Sequence, residues 1–127
     1  MASVIHLVLP IPPSINAAYA NSTKPGRRGR FKTKRYEDWI AEAQFAVMRD
    51  QVRGSIDGAY AIHVEIDRPD KRRRDLSNML KVIEDFCVSA GFVTDDRFCE
   101  AIKMKWTSAV EGHPGPVRVW LIETGVD

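Results

Sequence analysis

Cysteine is scarce in this chain: Cys87 and Cys99 are the only two in 127 residues. They lack the paired spacing of a zinc site and are too few to staple a chain of this length, so both are expected to be reduced core or near-core residues. No run of about eighteen apolar residues occurs, and no basic N-terminal region precedes a long apolar stretch. Neither membrane insertion nor export is supported, and a cytoplasmic location is expected. Repeats, low-complexity tracts and breaks in composition are also missing, which leaves a single domain over residues 1–127 with one compact core.

Net charge is small at +2, but the average hides clustering, and clusters create local fields. Residues 24–35, KPGRRGRFKTKR, carry seven of the nineteen basic residues, and Lys71 to Arg74 carry four more. Acidic residues gather instead between Asp67 and Glu100. In DKRRRDLSNMLKVIEDF, the four cations abut Asp75 at the start of an apparent helix. Two readings fit that run: a solvated helix start capped by Asp75, or a cation site facing phosphates.

Hydrophobic periodicity sets the element order. SVIHLVL reads as a buried strand stopped by the prolines of PIPPSIN. The glycine-containing basic stretch that follows reads as a loop, mobile until an anion orders it. From Tyr36 to about Gln51, Trp39, Ile40, Ala43, Val47 and Met48 recur at three- and four-residue steps, giving a first helix. GAYAIHVEIDRP alternates Ile62, Val64 and Ile66 with His63, Glu65 and Asp67, a strand with one wet face; His63 is then a surface residue with no second histidine at ligand spacing. Ser77 to Ser89 reads as a second helix, its apolar side including Leu80, Val82, Ile83, Phe86 and Cys87, with Gly91 placed to end it. CEAIKMKW and PVRVWLIE read as two last strands, joined across a Gly- and Pro-containing loop as a hairpin. The expected fold is α+β: a small domain with a mixed sheet and two helices, in the order β-α-β-α-β-β.

Asp75, Asp95 and Asp96 are the candidate metal-binding acids, because hard divalent cations such as magnesium take carboxylate oxygens from converging segments. A helix of about fifteen residues spans roughly 22 Å, so Asp75 and Asp96 meet only if the segment from Gly91 to Thr94 folds back along it. Plain turn residues before a strand account for Asp95 and Asp96 equally well on composition alone.

RPDKRRRDLSNMLKVIEDFCVSAGFVTDDRF resembles the RusA family of Holliday junction resolvases. That family's signature is Asp-x-Asp-Asn, a lysine three residues on, and a downstream Asp-Asp pair after a glycine. Asp75, Asn78, Lys81, Asp85, Gly91, Asp95 and Asp96 stand at the matching positions. LPIPPSINAAY resembles the family's opening strand and its Pro-Pro-Ser-x-Asn loop, which includes Asn16; the likeness is weakest from Lys24 to Gly58.

The resemblance implies a homodimeric, magnesium-dependent endonuclease, with manganese as a substitute metal, that places symmetric nicks across four-way DNA junctions in recombination or repair. It implies catalytic roles for Asp75, Lys81 and Asp96, with metal contacts from Asp75, Asp95 and Asp96. DNA contacts are then expected from Asn16, Asn78, Arg27, Arg28, Arg30 and the run Lys71, Arg72, Arg73 and Arg74. Phe31 and Tyr36 are available to wedge or stack at the branch.

One departure stands out: the family's second aspartate is Ser77 here. Fewer metals, Asn78 or water in the gap, or a substitute acid all remain open. Glu84 is the preferred substitute, about 20° from Ser77 around the helix although about 10.5 Å further along it; a salt bridge with Lys81 competes for it. The alternative function is a catalytically weakened protein that binds junctions or other branched DNA.

Overall fold

The structure, a computed structural model, describes residues 2–22, 29–68, 75–108 and 116–125. The strands are β1 (Val4–Leu9), β2 (Tyr19–Asn21), β3 (Arg30–Lys32), β4 (Tyr60–Asp67), β5 (Cys99–Thr107) and β6 (Val117–Glu123). The helices are α1 (Ile15–Ala18), α2 (Lys34–Arg49) and α3 (Ser77–Ser89), and a short 3-10 turn covers Asp96–Phe98. The expected mixed sheet is present as four strands in the order β1-β6-β4-β5, and β2 and β3 form a separate two-stranded ribbon.

The last two strands do not form the expected hairpin. β4 lies between them, antiparallel to β6 and parallel to β5. Alternation explains why β4 takes the centre: Tyr60, Ile62, Val64 and Ile66 are all fully buried, so this strand gains most from neighbours on both sides. β5 is largely exposed and carries Lys103 and Lys105, a composition suited to a sheet edge. A parallel β4–β5 pair requires a crossover, and α3 supplies it.

One face of the sheet is covered. Ile5, Leu7 and Leu9 of β1 and Val117, Val119 and Leu121 of β6 join the inward residues of β4 beneath Trp39 and Ala43 of α2 and Val82, Ile83, Phe86 and Cys87 of α3. Met48, expected on the apolar side of the first helix, is instead 73% exposed, and Tyr36 and Ala46 are buried. Cys87 and Cys99 are both unpaired, as expected. The other face bears His6, Trp120 and His63 in a row, with ring centroids 4.6 and 5.0 Å apart. His63 is half-buried there, stacked on Trp120, so it is less of a surface residue than its strand position alone implies.

The segment after β1 is more ordered than a loop. Pro12 and Pro13 are buried, Ser14 caps α1 by accepting from the Ala17 amide at 3.2 Å, and the chain enters β2 directly. Thr33 then joins two elements: its hydroxyl donates to the Ala17 carbonyl at 2.8 Å and accepts the Tyr36 amide at 3.3 Å as the N-cap of α2. The ribbon is thereby held against the start of α2, close to α3. Among the described residues no helix is long and apolar enough to cross a membrane.

Candidate active site

The site is built by the chain folding back on α3. Gly91 takes φ +82 to end the helix, a left-handed conformation that suits glycine. Phe92 and Val93 then bury themselves, and the Ile56 amide donates to the Phe92 carbonyl at 2.8 Å beside an isolated bridge to the segment before β4. Thr94 donates to Asp57 at 3.0 Å. These anchors return Asp96 to Lys81 on α3, while Asp75 bonds Ser77 and makes no contact with Asp95 or Asp96 among the described residues.

Lys81 is the meeting point. Its Nζ lies 2.5 Å from Asp96 Oδ2 and 2.9 Å from Asp85 Oδ1. These two hydrogen bonds, that of Asp96 first, hold the ammonium pKa well above the usual lysine range. The same Lys81 hydrogen bond holds the Asp96 carboxyl below the usual carboxylate range. Asp95 Oδ1 accepts the Arg97 amide at 2.9 Å, fixing the turn that presents Asp96. Lys81 therefore pairs with Asp85 and Asp96, not with Glu84.

Asp75 stands at the N-terminal end of α3. Its Oδ1 accepts from the Ser77 amide at 3.0 Å and from the Ser77 hydroxyl at 2.7 Å, so the serine that replaces an expected carboxylate binds the carboxylate that remains. Asn78 is half-buried in the first turn, and Asn16 is exposed on α1. Among the described residues no three acidic, histidine or cysteine groups converge as a preformed metal cage.

Glu84 is placed differently from its expected role at Ser77. It is 8% exposed, on the inner side of α3, where its Oε2 accepts from the Tyr60 hydroxyl of β4 at 2.7 Å. Burial pushes its carboxyl pKa up, against the Tyr60 hydrogen bond, and the negative charge of Asp96 adds to the rise. Glu84 is thus felt at the Asp96 end of the site.

A cleft of about 410 Å³ opens beside Lys81, Asp85, Asp95 and Asp96, and its other wall includes Tyr19, Lys32 and Tyr36. Nothing in the sequence pattern singles out Tyr19, and Lys32 stands out only as one of the seven cations of residues 24–35, because a three-residue ribbon leaves too short an alternation to detect. Arg30 Cζ lies 5.0 Å from the Tyr19 ring centre, and Lys32 Nζ lies 5.7 Å from that of Tyr36. Of the two aromatics expected at the branch, Phe31 is 52% exposed, whereas Tyr36 is 3% exposed and packs edge-on against Tyr19. Tyr36 is therefore a packing residue. Arg27, Arg28 and the run Lys71, Arg72, Arg73 and Arg74 lie outside the described residues.

Known proteins share this sequence over most of its length. Residues 10–116 match the family described as Endodeoxyribonuclease RusA. The crossover junction endodeoxyribonuclease of Enterobacteria phage HK97 is 31% identical over 119 residues, covering 92% of this chain and 94% of that protein. The enzyme of the same name from Enterobacteria phage 82 is 36% identical over 100 residues, 72% of each chain. A third, from Aquifex aeolicus, is 34% identical over 67 residues, 52% of each.

Proposed function

The chain belongs to the RusA endodeoxyribonuclease family, and on that footing we propose that it resolves four-way DNA junctions by symmetric, metal-dependent nicking. The observation that carries the reading is Lys81, clamped between Asp85 and Asp96 on the wall of an open cleft. A cation held by two carboxylates stays protonated at any physiological pH, so it is a fixed charge for a phosphate to meet. An arriving phosphate competes with Asp85 and Asp96 for the ammonium, which then sits where negative charge develops on the scissile group. Two opposed nicks need two sites, so the reading includes a homodimer.

Magnesium, with manganese as a substitute, fits the donor set. Asp75 is exposed and Asp95 and Asp96 are half-buried, all hard oxygen donors that a water-rich cation can reach without a closed cage. Asp95 and Asp96 on the return segment and Asp75 at the start of α3 would each offer it oxygens, although the three are not gathered around one point here, and it would supply Lewis acidity and an acidified water. Glu84, committed to Tyr60, fits better as a buried support below Asp96 than as a ligand beside Ser77. Basic side chains on the ribbon and before α3 offset the repulsion between these acids and DNA.

Cleavage of a labelled synthetic four-way junction, against matched duplex and with magnesium or manganese titrated, tests the reading. Asp75→Asn and Asp96→Asn are each expected to abolish nicking while junction binding stays measurable. Wild-type rates in both would remove these residues from the site. A second reading, binding without efficient cleavage, draws on the Ser77 hydroxyl occupying Asp75 Oδ1; metal-independent junction binding with no nicking at any metal concentration would favour it.

A further inference from the structure

The cleft beside Lys81 is larger than catalysis at one phosphate requires, and its two walls differ in kind. One wall is ionic, with Lys81, Asp85 and Asp96; the other is the face of the ribbon that carries Tyr19 and Lys32, paired across it in register. A volume of about 410 Å³ lies within the range of sites that take small organic groups. A strand whose scissile phosphate sits at Lys81 carries its neighbouring base within one nucleotide's reach of this recess. That base can enter only if it has left its stack and its partner.

Resting on the branched-DNA reading above, we infer that the cleft receives one unpaired nucleotide from the branch point, its base packed on Tyr19 and its backbone phosphate met by Lys32. Tyr19 suits the task. It is half-buried, meets Tyr36 in a T-shaped contact and carries the Arg30 guanidinium over one face, so its ring is held in place and the base would take the opposite face. Lys32 is exposed at the end of β3. Fully paired duplex holds each base between two stacked neighbours, whereas a pair that flanks an opened branch has lost part of that stacking and opens at lower cost. Selection of branched DNA therefore comes partly from the ribbon, without any reading of sequence in a groove. Tyr19 is on this account a specificity-determining residue, outside the proton-transfer and phosphate chemistry.

The test uses the whole protein, metal withheld with a chelator, and four-way junctions carrying a single 2-aminopurine at each nucleotide flanking the branch in turn. At one position, binding is expected to raise emission, because the base leaves its stack, and to protect it from acrylamide, because the base enters the cleft. Tyr19→Phe is expected to keep both effects. Tyr19→Ala and Lys32→Gln are each expected to reduce the protection, and, in a separate assay with magnesium restored, Tyr19→Ala is expected to lower the cleavage preference for junctions by about tenfold. A thermal melt verifies that Tyr19→Ala is folded, and Lys32→Gln, at an exposed position, gives an independent arm. Junction binding with no emission change at any flanking position overturns the inference while leaving the nuclease reading intact. So does a rise in emission without protection from acrylamide, which places the base in solvent. Failure to bind a junction over matched duplex overturns both.

Discussion

Two acid–base clusters in this protein use the same side-chain chemistry to different ends. At the far ends of β4 and β6, Arg118 donates to Asp67 at 3.0 Å and lies 3.7 Å from Glu65, while Thr107 donates to Asp67 at 2.6 Å. Arg118 and Asp67 are only 6% and 11% exposed. Beside α3, the Lys81 and Asp96 side chains are 53% and 35% exposed and face a cleft. The first cluster pairs its charges with one another, and its Arg118 and Asp67 are largely buried. The second meets its charges only in part and keeps a path to solvent. Paired charges occur in structural networks as well as in sites; what separates these two is the cleft.

The largest expected effect tests that separation on the exposed side. Asp96→Asn is expected to lower junction cleavage by about a hundredfold or more with folding retained, since an exposed pair contributes little to stability, about 0 to 1 kcal/mol. Lys81→Ala is expected to cut turnover with little loss of affinity, one cation among many acting chiefly where charge develops. Saturated cleavage at the wild-type rate in Lys81→Ala would reassign it to docking. On the closed side the outcome reverses. Arg118→Met leaves buried acids short of their partner and is expected to cost about 3 to 5 kcal/mol in urea unfolding, with the cleavage rate of the folded fraction unchanged. A stable but inactive Arg118→Met would join the two clusters into one functional unit.

Glu84 lies between the two cases, buried like Arg118 yet sensitive to Asp96. Burial raises its folded pKa, so the folded protein holds this proton more tightly than the unfolded chain does. Stability is then lost as pH climbs from the ordinary glutamate value, about 4.3, to the raised one. Glu84→Gln keeps an acceptor for Tyr60 and removes that slope. Its urea midpoint is expected to gain on wild type as pH climbs above the ordinary glutamate value, with nicking largely retained. Abolished nicking, restored in part by Ser77→Asp in the same chain, would instead make Glu84 the substitute ligand.

The smallest effect concerns charge at a distance. Replacing Arg27, Arg28 and Arg30 together by alanine is expected to flatten the salt dependence of junction affinity, by about 0.9 in slope for each phosphate no longer neutralised. An unchanged slope would turn that charge away from DNA.

The sequence by itself determined α3, residue for residue from Ser77 to Ser89, because a three-and-four apolar period ended by a glycine is a local signal, although the N-cap position falls to Leu76, which makes no side-chain cap bond, and not to Asp75. Four sheet strands were also legible, β4 from its alternation and β1 from its β-branched apolar run, and helix length showed that Asp75 and Asp96 could meet only if the chain folded back after Gly91. Tertiary structure decided the rest. Strand order was not readable, since a Gly- and Pro-containing loop is compatible with a hairpin and only burial on both edges puts β4 between β5 and β6. The direction of Glu84 was hidden because its partner, Tyr60, lies twenty-four residues away on another element. The choice of Asp85 and Asp96 for Lys81, and the union of a three-residue ribbon with α3 into one cleft, depend on long-range packing that periodicity does not encode. Local patterns specify which face of an element is apolar; which neighbours meet that face is settled by the single arrangement that buries all of them together.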